Sequence, residues 1–301
     1  MSILVASIAL LLSVGDGGMH PDAATAASDT ATADQTPSRA PTGAPLVEGR
    51  VSTGGADIWY GSVGEGTPIL LLHGGRSSSR AWDRQVPALV AAGFRVILID
   101  TRGHGRSTLG QQSLSYDLFA RDVLAVMDHL RVERAHVVGW SDGGITALVL
   151  AMRAPQRFDR IYAYGANMDP QGVRADAQQA PILKEIGPRL IADYRALSPT
   201  PDGFGALHDA VRRLQANEPR YTAAALSAIE GPRVRIAAGA RDEFITSEHP
   251  AYLARTIPGA TLTVFPQVGH FAPWMAADRF NRDVVAFMRT PAPANRHRPG
   301  R

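Results

Sequence analysis

The stretch Ala135-His136-Val137-Val138-Gly139-Trp140-Ser141-Asp142-Gly143-Gly144 decides how this 301-residue chain is read. A short apolar run enters it and an apolar-periodic run, Ile145 to Met152, leaves it, so it reads as strand, sharp turn and helix with a serine at the apex. A serine held in that strained turn leaves no room for side chains two residues before and two residues after it. Gly139 and Gly143 stand at those two places.

Outward from this turn the chain alternates. Leu46 to Ser52 and Ala56 to Val63 read as a hairpin around Gly54-Gly55, and Ile69 to Leu72 as a central strand covered on both faces. A helix is expected from Arg80 to Ala92, a strand from Arg95 to Ile99, a helix from Tyr116 to Leu130, and a strand from Arg160 to Tyr164. The rhythm then changes: between about 168 and 231 helical patterns stand at Ile182 to Ala196, Gly203 to Ala216 and Thr222 to Ile229, which reads as a helical cap inserted between two strands. Strands resume at Val234 to Gly239 and Thr261 to Phe265, with helices at Ser247 to Thr256 and Ala276 to Arg289. The fold class is α/β, a doubly wound and mostly parallel sheet whose reactive loops lie at the carboxyl ends of its strands.

Composition sets the outer bounds. The chain is 45% hydrophobic and 20% charged, as a soluble protein with one large core requires. The net charge of +3 comes from scattered arginines, with Lys184 the only lysine, so no basic cluster supports nucleic-acid binding. Cysteine is absent, which excludes a disulfide framework, a thiol nucleophile and a thiolate metal site. No His/Asp/Glu grouping has metal-ligand spacing, so neither a metal nor another cofactor is expected. Ile3 to Val14 has the length of a signal-peptide apolar region, followed by the cleavage candidate Ala24-Thr25-Ala26 but preceded by no basic residue. The expected organisation is a signal peptide over 1–26, a linker over 27–45, one domain over 46–289 and a tail over 290–301. Export to a periplasmic or extracellular location follows from that reading, with no stable membrane insertion after processing. A cytoplasmic location follows if the apolar run is not a signal. Oligomeric state is not legible.

The chain resembles the α/β-hydrolase family, nearest to its valacyclovirase-like (biphenyl-hydrolase-like) branch. The resemblance rests on His73-Gly74-Gly75, Asp100-Thr101-Arg102-Gly103-His104-Gly105-Arg106-Ser107, the run from Gly139 to Leu148, Gly165-Ala166-Asn167, Asp242 and Gly269-His270. A serine hydroxyl needs a base within hydrogen-bond reach, and the base needs a carboxylate to fix its tautomer. In this fold the expected chain order is Ser, acid, His. Ser141, Asp242 and His270 satisfy it, each in a loop directly after an expected strand. Glu243, beside Asp242, is the competing acid, although the resemblance places the carboxylate at Asp242. His73 and His104 read as organisers of glycine-rich loops, His136 as a packing residue, and Asp100 and Arg102 as holding loop geometry.

The tetrahedral intermediate of acyl transfer needs donors aimed at its oxyanion. The N–H of Asp142, at the start of a helix, is one. The resemblance gives the second to the N–H of Gly75, with Arg76 the neighbouring possibility. The Asp142 side chain puts negative charge beside that oxyanion, a repulsion of about 3 kcal/mol at about 5 Å and an effective dielectric of about 20. An ammonium group on the substrate would reverse its sign. Alternatively, Asp142 points away and is neutralised by backbone donors or an arginine. Trp140, Asn167 and Trp274 are expected at the pocket wall with the cap helices, core packing being the competing reading of each.

The expected activity is hydrolysis of a small-molecule carboxylic ester, possibly of an α-amino acid, through an acyl-enzyme on Ser141. The runner-up is a carbon–carbon bond hydrolase of the same fold acting on a vinylogous diketone, and a non-catalytic ligand-binding protein on this scaffold is the alternative of another class.

Overall fold

The computed structural model describes residues 40–229 and 233–290. Eight strands form one sheet: β1 (Val47–Thr53), β2 (Ala56–Val63), β3 (Thr67–Leu72), β4 (Phe94–Ile99), β5 (Ala135–Trp140), β6 (Phe158–Tyr164), β7 (Val234–Gly239) and β8 (Thr261–Phe265). Their order is β1-β2-β4-β3-β5-β6-β7-β8, with β1/β2 and β2/β4 antiparallel and every other pair parallel. The chain leaves β3 for β4 on one side and returns to β5 on the other. A crevice therefore opens at the carboxyl ends of β3 and β5, where Leu72 pairs with Gly139.

Side-chain alternation along the central strands divides the core into two layers. Leu70, Leu72, Ile97, Ile99 and Val137 face α2 (Tyr116–His129) and α3 (Asp142–Arg153). Ile69, Leu71, Val96, Leu98 and Val138 face α1 (Val86–Ala91) and, near the C-terminus, the helix Ala277–Arg289. Ile69, Leu70 and Leu71 have no exposed surface. Each such side chain contributes roughly 1.5–3 kcal/mol, which makes β3 a rigid floor for the loop after it.

Among the described residues, three α-helices stand between β6 and β7: α4 (Ile182–Leu197), α5 (Phe204–Asn217) and α6 (Ala223–Ser227). They lie where the cap was expected. After β7 come α7 (His249–Thr256), α8 (Ala272–Met275) and α9 (Ala277–Arg289). The single helix expected from Arg80 to Ala92 is instead a 3₁₀ turn, Ser79–Trp82, followed by α1. Pro87 is the reason: it has no N–H to give to a preceding turn, and it fits in the first turn of a new helix.

The expected signal segment, residues 27–39 of the expected linker, Glu230 and Gly231 at the end of the expected cap, and the tail from 291 lie outside the described residues. Within the remainder of that linker, Ala40 is buried and closes a turn, its carbonyl accepting from the Gly43 N–H at 2.8 Å. No described helix is long and apolar enough to cross a membrane.

Candidate active site

Ser141 sits between β5 and α3 at φ 55° and ψ −122°, a conformation that costs a non-glycine residue strain. Its N–H donates to the Tyr164 carbonyl at 2.8 Å, and its own carbonyl accepts from Ile145 N–H at 3.0 Å. A Cβ at Gly139 would stand 2.2 Å from the Gly143 oxygen, and one at Gly143 would stand 2.0 Å from the Leu72 oxygen. Both expected glycine roles are thus steric facts. Ser141 keeps some exposure while the residues on either side of it are buried.

The loops after β7 and β8 bring Asp242 and His270 together. The imidazole Nδ1 donates to the Asp242 carboxylate at 2.9 and 3.0 Å, a bond that in the neutral ring selects the tautomer with its lone pair on Nε2. Asp242 Oδ1 also accepts the N–H groups of Phe244 and Ile245, each at 2.9 Å. Burial alone would raise the Asp242 carboxyl, but the adjoining imidazole and these hydrogen bonds outweigh it, so its pKa lies below the ordinary value. Gly165, at φ +59°, leaves room for the pair: a Cβ there would lie 2.8 Å from His270 Cε1.

Glu243 serves a different part of the same histidine, because its carboxylate accepts the main-chain N–H of His270 at 2.8 Å. Of the two neighbouring acids, the imidazole partner is therefore Asp242. Two aromatic residues tie the histidine loop to the serine turn. The Trp140 indole N–H donates to the His270 carbonyl at 2.8 Å, and the Tyr164 hydroxyl donates to the Gly269 carbonyl at 2.6 Å.

The loop after β3 lies against the serine turn. A Cβ on Gly74 would be 3.2 Å from Ser141 Cβ, and one on Gly75 would be 2.5 Å from Asp142 Oδ2. Asp142 is buried, and its carboxylate is engaged by neutral donors: the Tyr116 hydroxyl at 3.0 Å and the Gln215 amide of α5 at 3.0 and 3.1 Å. Burial, reinforced by the adjacent Asp142 charge, drives the Tyr116 hydroxyl well above its ordinary pKa, so it remains a donor. Arg76 stands nearby in a left-handed conformation, φ 63°, donating to His208 Nδ1 at 3.1 Å and to Gln215 Oε1 at 3.3 Å. The Asp142 carboxylate is thus held by side-chain donors, neither by the backbone donors nor by the direct arginine contact that the sequence suggested, with Arg76 reaching it only through Gln215. Tyr116 and Gln215 were not singled out from the sequence, where one opens an amphipathic helix and the other is a polar residue among many in the cap.

The residues expected at the pocket wall have supporting positions. Trp140 is 3% exposed and stacks edge-on with Phe271 and Trp274, so it is core beneath the histidine loop rather than wall. Trp274 donates to the Ala81 carbonyl at 2.9 Å and carries the Arg189 guanidinium 4.3 Å above its ring. Asn167 is 8% exposed and donates to the Asp169 carbonyl at 3.2 Å.

The remaining polar residues hold loops. Asp100, fully buried, accepts the N–H groups of Ser79 at 2.6 Å and Arg106 at 2.8 Å. Arg102 pairs with both Asp122 oxygens at 2.8 and 2.6 Å and reaches the Thr53 and Gly54 carbonyls of the hairpin. His73 accepts the Thr101 N–H at 3.0 Å, and its other nitrogen meets the Gly74 carbonyl at 2.7 Å. His104 meets the Arg102 carbonyl at 2.9 Å, and burial lowers its pKa to about 3. His136 packs edge-on against Phe94.

A partly exposed serine on a strained turn, an imidazole whose near nitrogen is held by a carboxylate, and main-chain N–H groups at a helix start can together perform acyl transfer. Comparison with known proteins identifies the fold and the family. The family model described as alpha/beta hydrolase fold matches residues 67–202. A 2-hydroxy-6-oxo-6-phenylhexa-2,4-dienoate hydrolase of Comamonas testosteroni is 31% identical over 77% of this chain and 91% of its own length. Among solved structures, the meta-cleavage product hydrolase CumD of Pseudomonas fluorescens superposes with a TM-score of 0.67 at 26% identity, covering 80% of this chain and 97% of that one. An N-acyl homoserine lactone degrading enzyme gives 0.66 at 29% identity, covering 79% of this chain and all of its own. With this fold, this strained serine turn and relatives matched over nearly their whole length, the chain belongs to the α/β-hydrolase family.

Proposed function

We propose that the protein is a serine hydrolase acting through Ser141, with His270 as base and Asp242 as its orienting acid, on a carbon–carbon bond beside a ketone. His270 Nε2 takes the hydroxyl proton as Ser141 Oγ bonds to the carbonyl carbon. The oxyanion lies between the N–H groups of Gly75 and Asp142. The dienol first ketonises, its 2-hydroxyl proton passing to the carbon beside the ketone, so that collapse of the intermediate breaks a bond to a tetrahedral carbon. The electron pair of that bond is delocalised into a vinylogous keto acid, and His270 returns the proton to the leaving fragment. Water then attacks the acyl-enzyme by the same route, releasing a carboxylic acid and free Ser141.

The observation that carries the choice of bond is the engagement of Asp142 by Tyr116 and by Gln215, whose amide oxygen is in turn held by Arg76. An unpartnered carboxylate there would repel the carboxylate of a dienoate substrate and favour an ammonium-bearing ester. With those acceptor sites already filled by the protein, Asp142 is not free to receive an ammonium group, and the activity named for the Comamonas relative becomes the first reading, ahead of the ester expected from sequence. Ester or lactone cleavage is the second reading, supported by the likeness to the lactone-degrading enzyme at 29% identity.

The test is the loss of visible absorbance of 2-hydroxy-6-oxo-6-phenylhexa-2,4-dienoate, run beside a p-nitrophenyl ester and an N-acyl homoserine lactone. Turnover of the dienoate by the wild type and not by Ser141→Ala is the expected result. Turnover of ester or lactone alone moves the assignment to the second reading. Activity that survives Ser141→Ala removes the serine mechanism altogether.

A further inference from the structure

The cap reaches the floor of the site through one amide. Gln215 Nε2 donates to both Asp142 oxygens at 3.0 and 3.1 Å, and Gln215 Oε1 accepts from Arg76 at 3.3 Å. The same nitrogen would lie 3.1 Å from a Cβ on Gly75, so the amide is wedged between the two loops that carry the oxyanion donors. Its helix is anchored: the neighbouring Leu214 is buried in the main core layer, while Leu207 and Val211 pack against Tyr194 of α4.

We infer that Gln215 is a positioning residue of the oxyanion hole. Asp142 supplies one donor N–H, and Arg76 directly follows the Gly75 that supplies the other. A single amide that holds both side chains sets the spacing of those two peptides and so completes the hole only when α5 is seated. The amide also has the right polarity for its two partners, since its N–H₂ meets a carboxylate and its oxygen meets a guanidinium. This inference rests on the reading of Ser141 as nucleophile.

The experiment measures the rate at which a fluorophosphonate labels Ser141, a reaction that needs the oxyanion hole but not the natural substrate. Gln215→Leu and Gln215→Glu are each expected to slow labelling by about tenfold to a hundredfold, less than the loss of a whole donor. The Gln215→Glu, Asp142→Asn double variant exchanges carboxylate and amide across the contact. It restores an amide-to-carboxylate hydrogen bond while Arg76 and Tyr116 keep acceptors, so it is expected to label at least several times faster than Gln215→Glu alone. Packing alone would give no such recovery. Labelling of Gln215→Leu at the wild-type rate overturns the inference, as does a double variant no faster than Gln215→Glu while melting at the wild-type temperature. Failure of the wild type to label removes the reading of Ser141, and the inference with it.

Discussion

The Glu243 carboxylate accepts the main-chain N–H of His270 at 2.8 Å, one residue along the chain from the carboxylate that meets its imidazole. Adjacent acids thus divide one histidine between backbone and ring. Asp242→Asn is expected to lower kcat about 10⁴-fold, because the amide favours the wrong tautomer. Glu243→Gln keeps an acceptor for the N–H and is expected to cost at most about tenfold, the price of one lost charge on a hydrogen bond worth about 1.5–3 kcal/mol. Steady-state kinetics on both variants check this, and equal losses would contradict the division.

Gly143→Ala tests the steric basis of the serine turn. The new Cβ would lie 2.0 Å from the Leu72 oxygen, on a central strand that cannot retreat. A loss of about 4 kcal/mol is expected, near the upper end for single substitutions, with a fall in melting temperature of roughly 8–16 °C. Calorimetry reads it directly.

The Arg102–Asp122 pair is almost completely removed from solvent, with side-chain exposures of 0% and 4%. Asp122→Ala strands the guanidinium and is expected to cost about 3–5 kcal/mol in urea unfolding. Replacing both partners by apolar residues of similar volume should recover much of that loss, although the hairpin carbonyls of Thr53 and Gly54 lose their donors.

His104 gives stability a pH dependence whose sign follows from its burial. Its pKa falls to about 3 in the folded chain, against about 6.5 when unfolded. Between those values the unfolded state binds the extra proton, so stability declines as pH falls from 6.5 towards 3, with a slope near 1.4 kcal/mol per pH unit. His104→Gln keeps a donor for the Arg102 carbonyl but cannot titrate. Its unfolding free energy should therefore vary less steeply with pH by about that slope, whatever its absolute stability.

The sequence by itself determined the alternation of strands and helices, the cap between β6 and β7, and the serine turn with its two glycines. These features are local: side-chain periodicity acts over a few residues, and the clashes at Gly139 and Gly143 involve the turn and one adjoining strand end. The break at Pro87 was equally local, and the expected helix from Arg80 to Ala92 overlooked it. Only the tertiary structure decided which groups hold Asp142, because its partners Tyr116 and Gln215 lie 26 and 73 residues away and meet it through the packing of α2 and α5. It likewise buried Trp140 under the histidine loop and separated the roles of Asp242 and Glu243. Residue type fixes what a side chain can donate or accept, whereas the partner it meets depends on long-range packing, and no sequence window contains that information.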